Sequence, residues 1–261
     1  MICVFDIETI PDVNLIRELD NLQGDDKEVS LQKLQKQLQE TQTSFLPLPY
    51  HKIVSISAVI ADDFGQFIKV SSIKGSNEEE LIKEFVGFID AKNPKLVSYN
   101  GRAFDMPLVM LRAMKYNLSC KSYFEKENYL YDKTKWDNYR YRFSDRFHVD
   151  LMDHISEFGA VRSLNLDTVC TLVGLPGKYE VSGSDVMELY YDNRLDKIND
   201  YCQSDVLNTY WLFLKYELLK ANITQNEYLS LLDVLLDKIP KDKDYSEIFT
   251  KKIKTELGVD L

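Results

Sequence analysis

The chain opens on an alternation. In Val4-Phe5-Asp6-Ile7-Glu8-Thr9-Ile10 the apolar Phe5 and Ile7 alternate with the acidic Asp6 and Glu8. Successive side chains of a strand leave on opposite faces, so Asp6 and Glu8 share one side and Phe5 and Ile7 the other. Residues 2–7 predict strand one, ended by Pro11-Asp12. The period then changes. Leu15, Leu19 and Leu22 across 13–22, and Leu31, Leu34 and Leu38 across 27–42, recur at helical spacing around a Gly24-Asp25-Asp26 break. They predict a helical excursion over 12–45, a solubilising hairpin packed on the core. Phe45-Leu46-Pro47-Leu48-Pro49-Tyr50 reads as an extended, proline-stiffened link.

Residues 53–61 read as a central strand, Asp62-Asp63-Phe64-Gly65 as a turn and 66–73 as the returning third strand. Ser76-Asn77, followed by Glu79 and Glu80, caps a helix running to about residue 91, with Leu81, Ile82, Phe85, Phe88 and Ile89 as its buried stripe. Strand four spans 95–100, and Pro107 suits the first turn of the next helix. Residues 117–146 are polar and aromatic, 148–153 form a short fifth strand, and Ser163-Leu164-Asn165 leads into a helix ending near Gly174. Gly177 and Ser182-Gly183-Ser184 mark a loop, and helices follow over 185–192 and 194–219. The tail over 224–257 breaks at Pro240 and packs against the body through Leu229, Leu232, Leu235 and Leu236. A meander followed by strands alternating with helices implies an α/β fold, a mixed five-stranded sheet flanked by helices. The expected organisation is a main domain over 1–220, with its helical insertion at about 12–45, and a helical extension over 221–261 packed on the same domain.

Composition narrows the function classes. With 44% hydrophobic and 28% charged residues the chain is an ordinary globular one. No stretch approaches the roughly 20 apolar residues of a membrane helix. The first residues run straight into the acidic strand without the pattern of a signal peptide, and the four cysteines form no CxxC pair. A cytoplasmic protein with reduced thiols is expected, with no membrane association and no nucleotide cofactor. A net charge of −10 argues against a broad basic surface that coats nucleic acid, but not against a local grip on a few nucleotides.

Three separated acidic sites carry the candidate chemistry. Asp6 and Glu8 on one face of an apolar strand need compensation, which a hard divalent cation with oxygen ligands supplies most simply; an edge strand with two solvated acids is the plainer alternative. Asp105 follows strand four at the start of a helix, where open α/β sheets place ligands; it could equally be a helix N-cap. Tyr201 and Asp205 lie one turn apart on a face of a buried helix. Converging at one end of the sheet, the four acids would offer ligands for two divalent ions about 4 Å apart, the arrangement that clamps an in-line phosphoryl displacement. Tyr201 could hold the attacking water. Arg140 and Arg142, among Trp136, Tyr139, Tyr141 and Phe143, suit single-stranded nucleic acid, unless those aromatics pack inward. His148 with Asp150 and Asp153 is better explained by a strand end and turn than by a second metal site.

These motifs resemble the DEDD 3′–5′ exonucleases of the ribonuclease H-like fold, in their tyrosine-bearing branch. Phe5-Asp6-Ile7-Glu8-Thr9 resembles the first exonuclease motif. Asn100 to Pro107, N-x-x-x-F-D-x-P, resembles the second as found in family B DNA polymerases, and Tyr201-x-x-x-Asp205 the third. Phe45-Leu46-Pro47-Leu48-Pro49, Lys135-Trp136, His148-x-Asp150, Leu175-Pro176-Gly177-Lys178 and Asp200 to Thr209 extend the likeness to stand-alone bacterial exonucleases related to that polymerase domain. The resemblance covers about residues 1–220. It implies that Asp6, Glu8 and Asp205 hold one Mg²⁺ or Mn²⁺ and Asp6 and Asp105 a second. Tyr201 would orient water, and Asn100, Phe104 and the Thr9-Ile10 backbone would line the terminal nucleotides. Gln203 stands where those relatives carry glutamate. The implied substrate is a single-stranded 3′ end, DNA before RNA, cut to nucleoside 5′-monophosphates. The alternatives are an exoribonuclease, a binding module with a degenerate site, or a helper subunit recruiting a protein partner through the 221–261 helices.

Overall fold

The computed structural model describes residues 1–161, 164–178, 183 and 185–259. Ser163, Ser182 and Ser184, expected at a helix start and in a loop, lie outside them. The sheet is built around β1 (Ile2–Pro11), which pairs antiparallel with β2 (His51–Ala61); β2 in turn pairs antiparallel with β3 (Phe67–Ser72). On its other edge β1 runs parallel to β4 (Lys95–Ser98), and β4 parallel to β5 (His148–Asp150), giving the order β3-β2-β1-β4-β5.

Both faces of this mixed sheet are covered, which is why its strands read as nearly continuous apolar runs. Cys3, Phe5 and Ile7 point into one core with Ile82, Phe85 and Ile89 of α3 (Glu78–Lys92) and Leu108 and Val109 of α4 (Asp105–Lys115). Ile2 and Val4 point the other way, into a core with Val206, Leu207 and Trp211 of α9 (Leu195–Leu219). Between these helices come α5 (Lys121–Phe124), α6 (Leu151–Ile155), α7 (Leu166–Leu172) and α8 (Val186–Tyr191). The tail forms α10 (Gln225–Lys238) and α11 (Ser246–Leu257). Leu232, Leu235, Phe249 and Ile253 join the α9 core, and the buried Trp211 indole donates to the Tyr228 hydroxyl at 2.9 Å.

Several boundaries differ from the sequence expectation. β1 continues to Pro11 instead of ending near Ile7, because β2 begins at His51 and keeps pairing with it. The register slips between Glu8 and Thr9, where Val54 of β2 is the extra residue; such a bulge re-aims side chains beside a site. β4 stops at Ser98, and β5 at Asp150 rather than residue 153. Asp150 caps α6 by accepting from the N–H groups of Met152 and Asp153, which turns the chain out of the sheet.

The excursion after β1 is helical, as α1 (Val13–Asp20) and α2 (Asp26–Thr41), but it buries a different face from the leucine stripes. Leu19, Leu31 and Leu38 are exposed, while Ile16, Val29, Ser30 and Lys33 are buried. Polar partners decide this: Lys33 pairs with Asp20 at 2.7 Å and sits over the Tyr50 ring, and Ser30 Oγ lies 2.8 Å from the Tyr191 hydroxyl. The exit of β1 is locked by Arg112 of α4, which pairs with both Asp12 and Glu78 in the interior.

Candidate active site

β1 and α9 bring the first and third motifs together. Beyond Val4 the same strand face presents Asp6 and Glu8, and the facing part of α9 carries Tyr201, Cys202 and Asp205 in place of apolar residues. The Cys202 thiol donates to the Asp6 carbonyl at 3.5 Å, fastening the helix to the strand. Glu8 is buried, while Asp6 and Asp205 remain partly open.

Asp105 arrives from β4. The chain leaves the strand through Asn100, at a left-handed φ of 67°, and Gly101, where a Cβ would stand 2.5 Å from the Ser98 side chain. The Asp150 carboxylate holds this turn by accepting from the N–H groups of Asn100 at 2.9 Å and Arg102 at 2.8 Å. Asp105 is then the first residue of α4, and its N-cap position belongs to Phe104. Since β1 and β4 are parallel, the turn delivers Asp105 to the carboxyl end of the sheet beside Asp6, the position where ligands of such sheets bind.

The electrostatics report how close the acids are. Burial, then the charges of Asp105, Glu8 and Asp205, hold the Asp6 carboxyl well above its ordinary range. Glu8 is raised by burial, then by Asp205 and Asp105, with Lys178 acting in the opposite direction. Burial pushes Asp105 up to about 7. It pushes Asp205 up to about 6, against the pull of Lys178 and of a hydrogen bond with Tyr201. The Tyr201 phenol is itself raised by burial and by Asp205, Glu8 and Asp6. Four carboxyls raised by burial, two of them also by the charges of the others, are a poor structural arrangement unless positive charge is added.

The donor set fits hard divalent cations. Ligand atoms of Asp6, Glu8 and Cys202 lie within 4.8 Å of one another. The thiol is the odd member: it donates to a carbonyl, and burial with the nearby carboxylates keeps it protonated. That leaves an all-carboxylate set, the chemistry of Mg²⁺ and Mn²⁺ sites.

Glu8, Thr9, Ile10 and Phe104 line one wall of a cavity of about 450 Å³. A separate cavity of about 340 Å³ is lined by Asp12, Glu78 and Arg112, whose charges are already paired with one another. Asn100 sits in the turn before Asp105. Arg140 and Arg142 have partners of their own: Arg142 is bound to Asp153 through Nε at 2.8 Å, and Arg140 rests on the Phe124 ring at 5.1 Å. Of their aromatic neighbours, Tyr139 packs inward, while Trp136 and Phe143 are exposed. His148 is buried against Ser98 Oγ at 2.8 Å, and Asp153 is engaged by Arg142, so these residues form no metal cluster with Asp150. Gln203 bridges Ser72 of β3 and Tyr245 before α11, away from the acids.

Two features carried no assigned role in the sequence. Lys178 follows Gly177, whose N–H and carbonyl are both held by the Asn208 amide of α9, at 3.1 and 2.8 Å. The Lys178 N–H donates to Asp167 at 2.7 Å. This clamp places a cation beside Glu8 and Asp205. His51 joins Thr9 to Leu46 through its two ring nitrogens. Only the Leu175-Pro176-Gly177-Lys178 and Phe45-Leu46-Pro47 patterns hinted at either.

A family described as predicted 3′–5′ exonucleases related to the exonuclease domain of PolB matches residues 43–253. The match begins after β1 and reaches through most of the tail, further than the separate motifs extended. A DNA polymerase of Archaeoglobus fulgidus is 26% identical over 169 residues, 63% of this chain and 20% of the relative. A DNA polymerase of Thermococcus aggregans is 26% identical over 165 residues, 61% of this chain and 9% of the relative. The chain thus spans a fifth or less of the length of these curated relatives. In fold it is similar to the family B DNA polymerase of Pyrobaculum calidifontis, with a TM-score of 0.50 and 18% identity over 97% of this chain and 26% of that one. No helix among the described residues is long and apolar enough to cross a membrane.

Proposed function

Because the chain belongs to the family of predicted 3′–5′ exonucleases related to the exonuclease domain of PolB, we propose that it removes nucleotides one at a time from the 3′ end of single-stranded nucleic acid, DNA in preference to RNA. Water adds its oxygen to the terminal phosphorus and the bond to the penultimate O3′ breaks, so a nucleoside 5′-monophosphate leaves and the shortened strand keeps a 3′-hydroxyl.

The observation that carries this reading is the convergence of Asp6, Glu8, Asp105 and Asp205, from β1, α4 and α9, with Glu8 lining a cavity. Asp6, Glu8 and Asp205 would hold one divalent cation and Asp6 and Asp105 another. When bound, such cations supply the positive charge that stabilises the attacking and leaving oxygens of an in-line displacement. Tyr201 keeps its proton, since burial and three acids raise its phenol. It therefore orients the nucleophilic water by a hydrogen bond and does not act as a base. Lys178 offers its ammonium to a phosphate oxygen from the open side. Thr9, Ile10, Asn100 and Phe104 would flank the terminal nucleotide.

The test is cleavage of 5′-labelled single-stranded DNA and RNA of one sequence in Mg²⁺, in Mn²⁺ and in chelator, beside Asp6→Ala. A cation-dependent ladder shortening from the 3′ end, absent in the variant, is expected, with DNA faster. Cleavage that persists in chelator or in Asp6→Ala would reject the acid cluster as its source. Retained binding without cleavage would favour a binding module.

A further inference from the structure

The helix that carries Tyr201 and Asp205 is seated in two different ways along its length. From Val206 onward α9 meets the sheet through Val206, Leu207, Tyr210 and Trp211, and such apolar contact is non-directional. Beside the acids the sheet-facing positions are polar, and each makes a directed bond. Asn199 Oδ1 accepts from Ser55 Oγ at 2.7 Å, the Cys202 thiol reaches the Asp6 carbonyl at 3.5 Å, and Gln203 Nε2 donates to Ser72 Oγ at 2.9 Å. Ser72 Oγ stands 2.9 Å from Ser57 Oγ in turn. Ser55 and Ser57 are the β2 partners of Glu8 and Asp6. This stretch of α9 is therefore indexed against the strand positions that carry the acids.

The tail grips the same stretch. Three consecutive residues between α10 and α11 each bond to α9: Lys243 pairs with Asp200 at 2.9 Å, Asp244 with Lys197, and the Tyr245 hydroxyl donates to Gln203 Oε1 at 2.8 Å. Residues 197, 200 and 203 follow at the spacing of helical neighbours, and the last two bracket Tyr201. The gripping segment is closed on itself. The Lys243 N–H donates to Ser246 Oγ and the Ser246 N–H to the Lys243 carbonyl, both at 3.0 Å. Tyr245 is buried, edge to face with Phe249 at 5.9 Å and 79°. Gln203 joins the two sets of bonds, accepting from the tail with one amide atom and donating to the sheet with the other. A buried amide engaged at both ends has a fixed orientation, because hydrogen bonds weaken steeply with misalignment.

We propose that Gln203 is a positioning residue of the reaction, and that through it and Tyr245 the C-terminal extension sets the rotation of α9 that places Tyr201 and Asp205 against Asp6 and Glu8. This rests on the exonuclease reading above and deepens it. Gln203 bonds to Ser72 and Tyr245 and not to the acids, so it acts through Tyr201 and Asp205, two positions to either side. A turn of the helix moves both groups at once. Misplacement by about 1 Å can cost up to about 10²-fold in rate.

Three variants of the full chain test it, each read by steady-state cleavage of single-stranded DNA, by Mn²⁺ affinity from calorimetry and by melting temperature. Gln203→Met keeps the length of the side chain and removes both bonds. Gln203→Glu keeps an acceptor for the Ser72 and Tyr245 hydroxyls. Tyr245→Phe removes the tail's bond alone. Gln203→Met should lower kcat about tenfold with KM nearly unchanged, and should weaken Mn²⁺ binding. Tyr245→Phe should shift both readings in the same direction, and Gln203→Glu should stay close to the wild type. A Gln203→Met protein that melts lower but keeps wild-type kcat and Mn²⁺ affinity overturns the proposal, since loss of packing alone would explain it. Equal losses in Gln203→Glu and Gln203→Met overturn it as well, as does a Tyr245→Phe protein indistinguishable from the wild type. Should Gln203→Met not fold, Tyr245→Phe and Gln203→Glu decide by the same criteria. A wild type that binds Mn²⁺ but cleaves nothing rejects the exonuclease reading instead, and the Mn²⁺ affinities of the three variants then decide whether Gln203 places the acids.

Discussion

Replacing Asp205 by Asn should make the cation-free protein more stable at alkaline pH while abolishing turnover. Burial raises the Asp205 carboxyl to about 6 from an ordinary 3.8. A carboxyl raised by folding contributes its stability below the unfolded pKa, near 4, and loses it as pH climbs through the folded value, near 6. At pH 8 the cation-free wild type therefore carries a charge whose burial costs up to about 3 kcal/mol, at about 1.4 kcal/mol per tenfold change in acidity. Four acids share this cost and can relax apart, so about 1–3 kcal/mol is the expected gain on removing one charge while keeping the shape and the acceptor that faces Tyr201. In a chain of this size that is an increase in melting temperature of roughly 2–6 °C. The assay is thermal melting in chelator from pH 4 to 8, with and without Mn²⁺. Asp205→Asn should exceed the wild type at pH 8, match it near pH 4, and gain less than the wild type from Mn²⁺. A variant that is less stable than the wild type at every pH would show that Asp205 is a structural hydrogen-bonding group and would refute the argument from charge burial.

The other expectations concern groups around the acids. Tyr201→Phe removes the hydroxyl that orients water and should lower kcat by about 10²-fold with KM nearly unchanged; a shift in the pH–rate profile would instead mean that the phenol titrates during turnover. Asn208→Ala frees both backbone groups of Gly177, which should cost about 1–3 kcal/mol by chemical denaturation and lower kcat/KM through the displaced Lys178; unchanged kcat/KM would take Lys178 out of the reaction. Arg112→Met leaves Asp12 and Glu78 buried without their shared cation and should destabilise the fold by about 3–5 kcal/mol; an unchanged denaturation midpoint would show that Lys115 and Tyr116 suffice to hold them.

How much of this was legible depends on the distance over which each feature is determined. Asp6 and Glu8 are two residues apart on a strand, and Tyr201 and Asp205 four apart on a helix, so elementary periodicity already placed each pair on one face. The sheet faces followed in the same way, since Val4 and Phe5 could only point in opposite directions. The insertion was misread because its buried face is chosen by partners far along the chain. Ser30 meets Tyr191 and Lys33 meets Tyr50, and those contacts outweigh the leucine stripe that Leu19, Leu31 and Leu38 seemed to define. Strand five was read too long because the sequence does not show that the Asp150 carboxylate is already engaged by the backbone of Asn100 and Arg102, the same contacts that aim Asp105. The wall around the cavity was the least legible part. Phe45 and Glu8 line one cavity, and one imidazole spans Thr9 and Leu46 between their segments. Metal-binding acids must obey the spacing of a single element, so they leave a pattern. A cavity wall needs only to be near them, and any loop that returns at the right height can supply it. The lining of the cavity therefore depends on the insertion's return, while the acids stay where the strand and helix put them.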